Sequence, residues 1–483
     1  MELSTLESWQ YFWPEVALAA TALTVAALAR LRGLDRSGLG ELAILGAAVS
    51  VFLAARLAGW GEVWIFERAL VVDGFAVFFK IVIGLATVAV LWIALESARF
   101  AGESEGDACA LALVAAFALD LMASAASLWI AYVSVEIASL ALWRLVHGSD
   151  SAAGTFPGRF AGMVVSASML GAVAWIAGFC GSADYEGVHR AVFELAPGNE
   201  FVLALAATAF LVAFPSRVLI ATASSEASEE SSLDALVAVG FTAAGLALSA
   251  RLLFGVLSEP GAEGRWTHAA GLDWSRTLAA SSVAAMTIGN LGALRERSLQ
   301  RVLVATSMAH VGYAMLGLAS ASDRGLEAAL FYLAAFSVAS LGAFHLAALI
   351  TRANGSDDLD ACRGLLRGRG TLAGFSLALF LLSLAGMPLL VGFFAKLHLF
   401  AAAIPMGLEW VMLLALANCV LSLLAYTRVL FVMGVGEAGE PTLRIGSYDA
   451  CLTLSLATAV VVFGFYETPL LDLAGRSIHL LPR

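Results

Sequence analysis

The chain has 483 residues, 60% of them hydrophobic and 13% charged, with a formal net charge of −11. A soluble domain carries roughly a quarter charged residues, and no soluble fold of this length hides so much apolar surface, so the bilayer is the solvent that accounts for the composition. The same balance leaves no basic surface for a nucleic acid.

The five cysteines, Cys109, Cys180, Cys362, Cys419 and Cys451, never pair as C-x-x-C and mostly sit in apolar runs. They read as small buried hydrophobes, neither disulfides nor metal ligands. The acidic, Trp-rich start from Met1 to Glu15 has no basic n-region, so no cleavable signal peptide is expected.

In chain order, runs of about 20 apolar residues, the length of a membrane helix, predict fourteen spans. They cover about 14–30, 41–59, 72–97, 108–126, 127–147, 160–180, 200–222, 233–256, 277–294, 300–319, 326–351, 371–403, 408–434 and 448–471. The twelfth is too long for one straight span and holds Gly386, Pro388 and Gly392, so it reads as a broken helix; Pro215 marks a break in the seventh. Arginines favour the loops after odd-numbered spans roughly two to one, with Arg251 counted in the sparser set. The positive-inside rule then puts both termini outside. No phosphate-binding glycine loop follows a predicted strand, so nucleotide chemistry belongs to another chain.

Of the 27 basic residues, only Lys80 and Lys396 are lysines, and both lie inside apolar runs. An ammonium in hydrocarbon needs a cavity, water or a counter-charge, and a desolvated lysine, unlike arginine, can lose its proton. Lys396 follows Pro388 by eight residues, where unwound backbone could hold water beside it, and is read as a proton-relay group. Lys80, near the start of its span, reads as a snorkelling lysine or one docked on a neighbouring helix. Glu136 lies mid-span in the fifth run, where a carboxylate with a nearby cation can switch. His310, His345 and His398 also lie in apolar runs; His310 could carry a proton, while His345 reads as a residue bonded to a neighbouring helix. His398, two residues past Lys396, points to another face. Asp120 is a weaker candidate, hydrogen-bonded near a helix end.

Two long segments carry a resemblance. Gly289 to Ser320 (GNLGALRERSLQRVLVATSMAHVGYAMLGLAS) and Ser383 to Phe400 (SLAGMPLLVGFFAKLHLF) resemble the helix 9–10 segment and broken helix 12 of the antiporter-like subunits of NADH–quinone oxidoreductase, respiratory complex I. Val71 to Lys80, Cys362 to Leu366 and Ala425 to Val429 match in order, best to the subunit N branch. The resemblance implies an all-α fold of about fourteen spans, with two inverted five-helix repeats broken at helices 7 and 12. By the same resemblance, residues 1–107 hold helices 1–3, 108–257 the first repeat, 277–434 the second, and 435–483 the last helix. It also implies a midplane chain of charges: a glutamate on helix 5 (Glu136), lysines on helices 7 and 8, a histidine (His310), and a lysine on helix 12 (Lys396). Here the lysine positions on helices 7 and 8 fall on Val212 and Thr242. Arg217 lies five residues past Val212 but stays protonated, and an acidic stretch from Glu226 to Asp234 replaces the family's loop.

The resulting reading is a subunit without cofactor that helps move protons while redox chemistry happens elsewhere, with its first half-channel impaired. FMN, iron–sulfur clusters and quinone are expected in partner subunits, and no metal is expected here. The partners are other membrane-arm subunits, including antiporter-like ones, and membrane lipids, with no nucleic acid; the setting is a bacterial inner membrane with periplasmic termini. Alternatives are an Mrp-type cation–proton antiporter or membrane-hydrogenase subunit, or a structural spacer that no longer pumps, which the loss at Val212 and Thr242 favours.

Overall fold

The computed structural model describes residues 4–31, 38–59, 61–95, 105–147, 156–194, 235–269, 273–367, 371–435 and 445–478. Among them, eleven helices are long and apolar enough to cross a membrane. In lipid the backbone must satisfy itself within each segment, so apolar runs become helices. The seventh predicted span, with Val212, Pro215 and Arg217, lies outside the described residues, as does the acidic stretch to Asp234.

The described residues fall into two compact units. One lies within Met1–Ser228, Gly240–Trp274 and Arg476–Arg483, the other within Glu229–Val239 and Ser275–Gly475. The first unit begins with α1 (Trp13–Arg30), α2 (Leu39–Arg56), strands β1 (Val63–Ile65) and β2 (Leu70–Val72), and α3 (Gly74–Leu95). It continues with α4 (Glu105–Ser124), α5 (Leu128–His147), α6 (Phe156–Cys180) and the short α7 (Tyr185–Phe193). The two strands pair antiparallel, Val63 opposite Val72, in a hairpin that the apolar pattern did not predict. α4 packs against α1, α2, α3 and α5 and buries small residues such as Ala112, Ala115 and Ala116. Small side chains let membrane helices approach closely enough for dispersion to hold them.

The eighth predicted span is one continuous helical stretch of mixed winding. A π-helical segment, Leu236–Phe241, leads into α8 (Thr242–Ala250) and a second π-helical segment, Arg251–Val256. A second hairpin follows, β3 (Ser258–Pro260) with β4 (Trp266–His268).

The other unit holds α9 (Trp274–Arg295, from Ser275 on), α10 (Leu299–Ala319) and α11 (Asp323–Asn354). At 32 residues α11 is about 48 Å long, well beyond a hydrocarbon core of about 30 Å. Ser322 caps its start by accepting from the Gly325 N–H, and Gly355 ends it in the left-handed conformation.

The predicted break in span twelve is present. α12 (Thr371–Ala385) and α13 (Val391–Ala403) are separate helices. Gly386 leaves the helix at φ +91°, a region that glycine enters without steric cost, and Leu389 follows at φ +74°. Gly392 lets the second half pack back: a Cβ there would lie 1.9 Å from the Ser383 carbonyl oxygen. α14 (Glu409–Gly434) and α15 (Ser447–Phe465) complete the long helices, and a short α16 (Thr468–Ser477) takes the tail of the last predicted run.

Candidate proton-transfer site

Lys396 sits in α13, five residues after its first residue, and is 5% exposed. Its ammonium donates to the carbonyl oxygens of Leu384 and Ala385, at 3.0 and 2.9 Å. Those carbonyls end α12, where the helix leaves its last acceptors unpaired and its dipole is negative. The break in the helix thus supplies Lys396 with two backbone acceptors. The ammonium also lies 4.8 Å from the centre of the Tyr313 ring, a cation–π distance.

His310, in α10, is buried between two phenols. Its Nδ1 is 2.6 Å from the Tyr332 hydroxyl and its Nε2 3.3 Å from that of Tyr426. A neutral imidazole has one donor and one acceptor nitrogen, so one phenol donates to it and the other accepts. Phe336 stacks on the ring at 4.8 Å. His310 and Lys396 line one small cavity together with Tyr332, Phe336, Ser383 and Gly392. A titratable imidazole, a buried amine and the Tyr332 phenol thus line a common space, which is a set of groups able to pass a proton.

Sequence reasoning named His310 and Lys396 but missed the tyrosines. Tyr313 was accessible in principle, since it follows His310 by three residues and shares its helix face. Tyr332 and Tyr426 come from α11 and α14, and no spacing rule connects them to His310. A second missed feature is a polar ladder between α9 and α14. Asn290 donates to the Asn418 side chain at 3.2 Å, Asn418 donates to Thr287, and Ser422 donates to Asn290 at 2.8 Å.

The other expected residues fall elsewhere. Glu136, on α5, is half-buried and accepts a hydrogen bond from Ser166 of α6 at 3.1 Å. Thr242, at the start of α8, is buried, and its hydroxyl has no hydrogen-bond partner among the described residues. His345 Nε2 lies 3.6 Å from a carboxylate oxygen of Asp449 in α15. His398 does face away from Lys396: it is 30% exposed and 3.2 Å from Glu467.

Lys80 takes the second of its two expected positions: it does not snorkel but is 1% exposed and docks on Glu15 of α1 at 2.6 Å. Two expectations need correction. Asp120 is not tied down near its helix end, because its Oδ1 has no hydrogen-bond partner among the described residues. Arg251, counted with the loop arginines, is fully buried. It donates to both Asp73 oxygens, at 3.1 and 2.8 Å, and to the Ala123 carbonyl at 2.7 Å. A lone guanidinium in hydrocarbon would be costly, and Asp73 supplies the opposite charge.

Residues 125–422 match the family described as "NADH:quinone oxidoreductase/Mrp antiporter, TM". A protein of Dehalococcoides mccartyi named NADH-quinone oxidoreductase subunit N is 29% identical, over 97% of this chain and 99% of that one. A protein of Chloroherpeton thalassium named NADH-quinone oxidoreductase subunit N 2 is 30% identical, over 97% and 94%. Among solved structures, a chain of the archaeal membrane-bound sulfane sulfur reductase superposes with a TM-score of 0.83 at 19% identity, covering 96% of this chain and 97% of that one. A chain of Thermus thermophilus respiratory complex I superposes with a TM-score of 0.75 at 23% identity, covering 96% and 99%. At these identities the structural likeness is one of fold.

Proposed function

Because the chain belongs to the NADH:quinone oxidoreductase/Mrp antiporter transmembrane family, we propose that it is the subunit N–type, antiporter-like membrane subunit of a proton-pumping NADH:quinone oxidoreductase. The observation that carries this reading is the Lys396–His310 cavity at the break between α12 and α13. Lys396 holds a proton at Nζ against the two α12 carbonyls. A change of charge nearby, relayed along the membrane arm, alters how tightly that proton is held, because Coulomb coupling is strong where water is excluded. His310, bonded through both nitrogens to phenols, accepts a proton at one nitrogen and gives one up at the other.

Glu136 is the charge at the entry of this relay, and the path through the seventh and eighth spans is impaired, since Val212 and Thr242 cannot titrate. Redox chemistry, with FMN, iron–sulfur clusters and quinone, belongs to partner subunits. The chain sits in a bacterial inner membrane beside other antiporter-like subunits, with periplasmic termini. The subunit N names of its relatives favour this over an Mrp-type antiporter.

The test is Lys396→Ala in the assembled complex. NADH-driven proton uptake into inverted vesicles should fall, and coupled quinone reductase activity with it. Wild-type turnover and wild-type protons per electron in a normally assembled variant would overturn the role of Lys396 and favour a non-pumping spacer.

A further inference from the structure

A second group of buried charges lies outside the site just described, where α1, α3 and α4 meet. Glu15 stands two residues inside the start of α1, Lys80 six residues inside the start of α3, and Asp120 four residues before the end of α4. These three helix ends come together. The β1–β2 hairpin leads into α3, the Ala126 N–H just past α4 donates to the Ala69 carbonyl, and Ser8 ahead of α1 accepts from the Phe66 N–H. All three side chains are buried to about 1% exposure.

Lys80 Nζ and Glu15 Oε1 are 2.6 Å apart, yet the pair is a charge contact without a well-aligned hydrogen bond, so both retain unused hydrogen-bonding capacity. Asp120 is the second buried carboxyl of these helices: α4 packs against both α1 and α3, and the Asp120 Oδ1 has no hydrogen-bond partner among the described residues. Two carboxylates and one ammonium would leave a net negative charge in a low-dielectric interior. Among the described residues, the neighbouring helices offer little to offset it. α2 carries its only ionisable groups, Glu41 and Arg56, near its ends, and α8 carries none. On α5 the groups are Tyr132, Glu136, Arg144 and His147, with Glu136 engaged by Ser166. Arg251, past α8, is already committed to Asp73. A buried carboxylate without its own counter-charge takes up a proton.

We propose that Glu15, Lys80 and Asp120 form a proton-binding site in the N-terminal helices, distinct from the Lys396 site, that holds one exchangeable proton on Asp120 while Lys80 and Glu15 remain an ion pair. The balance is complete: one ammonium, one carboxylate and one carboxylic acid, with the acid O–H on Asp120. Protonation is read at equilibrium and needs no turnover, so the site stands or falls apart from the pumping role of Lys396.

The experiment is infrared spectroscopy of the purified, assembled complex in water and heavy water. Wild type should show a carboxylic-acid C=O band, shifted by deuterium, that is lost in Asp120→Asn and retained in Lys396→Ala. Lys80→Met removes the one positive charge, so both carboxyls should protonate and a second such band should appear. Asparagine is the isostere of a neutral aspartic acid, so Asp120→Asn should assemble normally. An unchanged band in Asp120→Asn, failure of that variant to assemble, or a Lys80→Met spectrum identical to wild type would each overturn the proposal.

Discussion

Replacing Arg251 with methionine should destabilise the N-terminal unit more than any surface substitution, and the structure gives the size of the effect. The guanidinium makes two bonds to Asp73 and one to the Ala123 carbonyl, and it lies 5.0 Å from the Phe75 ring centre. Methionine keeps the apolar stem but leaves the Asp73 carboxylate buried with the Ala76 N–H as its remaining backbone donor, at 2.7 Å. Removing one member of a buried ion pair costs about 3–5 kcal/mol, because the stranded charge stays desolvated. That is about two to nearly four powers of ten in a folding equilibrium. Asp73→Asn alone strands the arginine instead and should cost a similar amount. In the double variant Asp73→Asn/Arg251→Met no charge remains. Asparagine can still accept from Ala76, and the residual loss is the unpaired Ala123 carbonyl, about 1–3 kcal/mol. The double variant should therefore be more stable than either single one. The assay is graded heating of solubilised complex, read by native-gel intensity and residual quinone reductase activity. Single variants as heat-stable as wild type, or a double variant no better than the singles, would refute the argument.

Glu136→Gln keeps shape and the Ser166 bond but removes the titrating charge; proton pumping should fall with assembly intact, and unchanged pumping would leave Glu136 a structural acid. Gly392→Ala should push α13 off α12, since its Cβ would overlap the Ser383 carbonyl. Proton uptake in vesicles should drop even though Lys396 is present, and a fully active variant would show that the close approach is dispensable. Outside the membrane spans, Asp184 caps α7 by accepting from the Gly187 N–H at 2.9 Å. The Ser182 hydroxyl, above all, and the Gly187 N–H hold its carboxyl below the usual aspartate range despite partial burial. A depressed value contributes stability that is present above the unfolded value of about 3.9 and lost as pH falls through the folded one. Hydrogen exchange of the amides of residues 185–193 should thus stay slow down to about pH 4 and accelerate below it, whereas Asp184→Ala should accelerate it at neutral pH by removing about 1 kcal/mol of capping. Exchange that begins to rise well above pH 4, or a silent alanine variant, would show that the cap contributes little.

Much of the fold was legible in the sequence because hydrocarbon leaves the backbone few choices. The apolar runs located the eleven long apolar helices of the described residues, and Gly386, Pro388 and Gly392 marked the break that separates α12 from α13. Lys396, Glu136 and His310 stood out because a charge or an imidazole inside an apolar run is expensive wherever the chain folds. What the sequence could not supply was the partner of each group. Glu15 looked like part of an acidic start, yet it is the counter-ion of Lys80, 65 residues later. Arg251 looked like a loop arginine, yet Asp73, 178 residues away, holds it inside. Tyr332 and Tyr426 are ordinary members of apolar helices until packing brings them to the two nitrogens of His310. Burial penalties are properties of single residues and can be read along the chain; the pairings that relieve them depend on which helices pack together, and only the tertiary structure decides that.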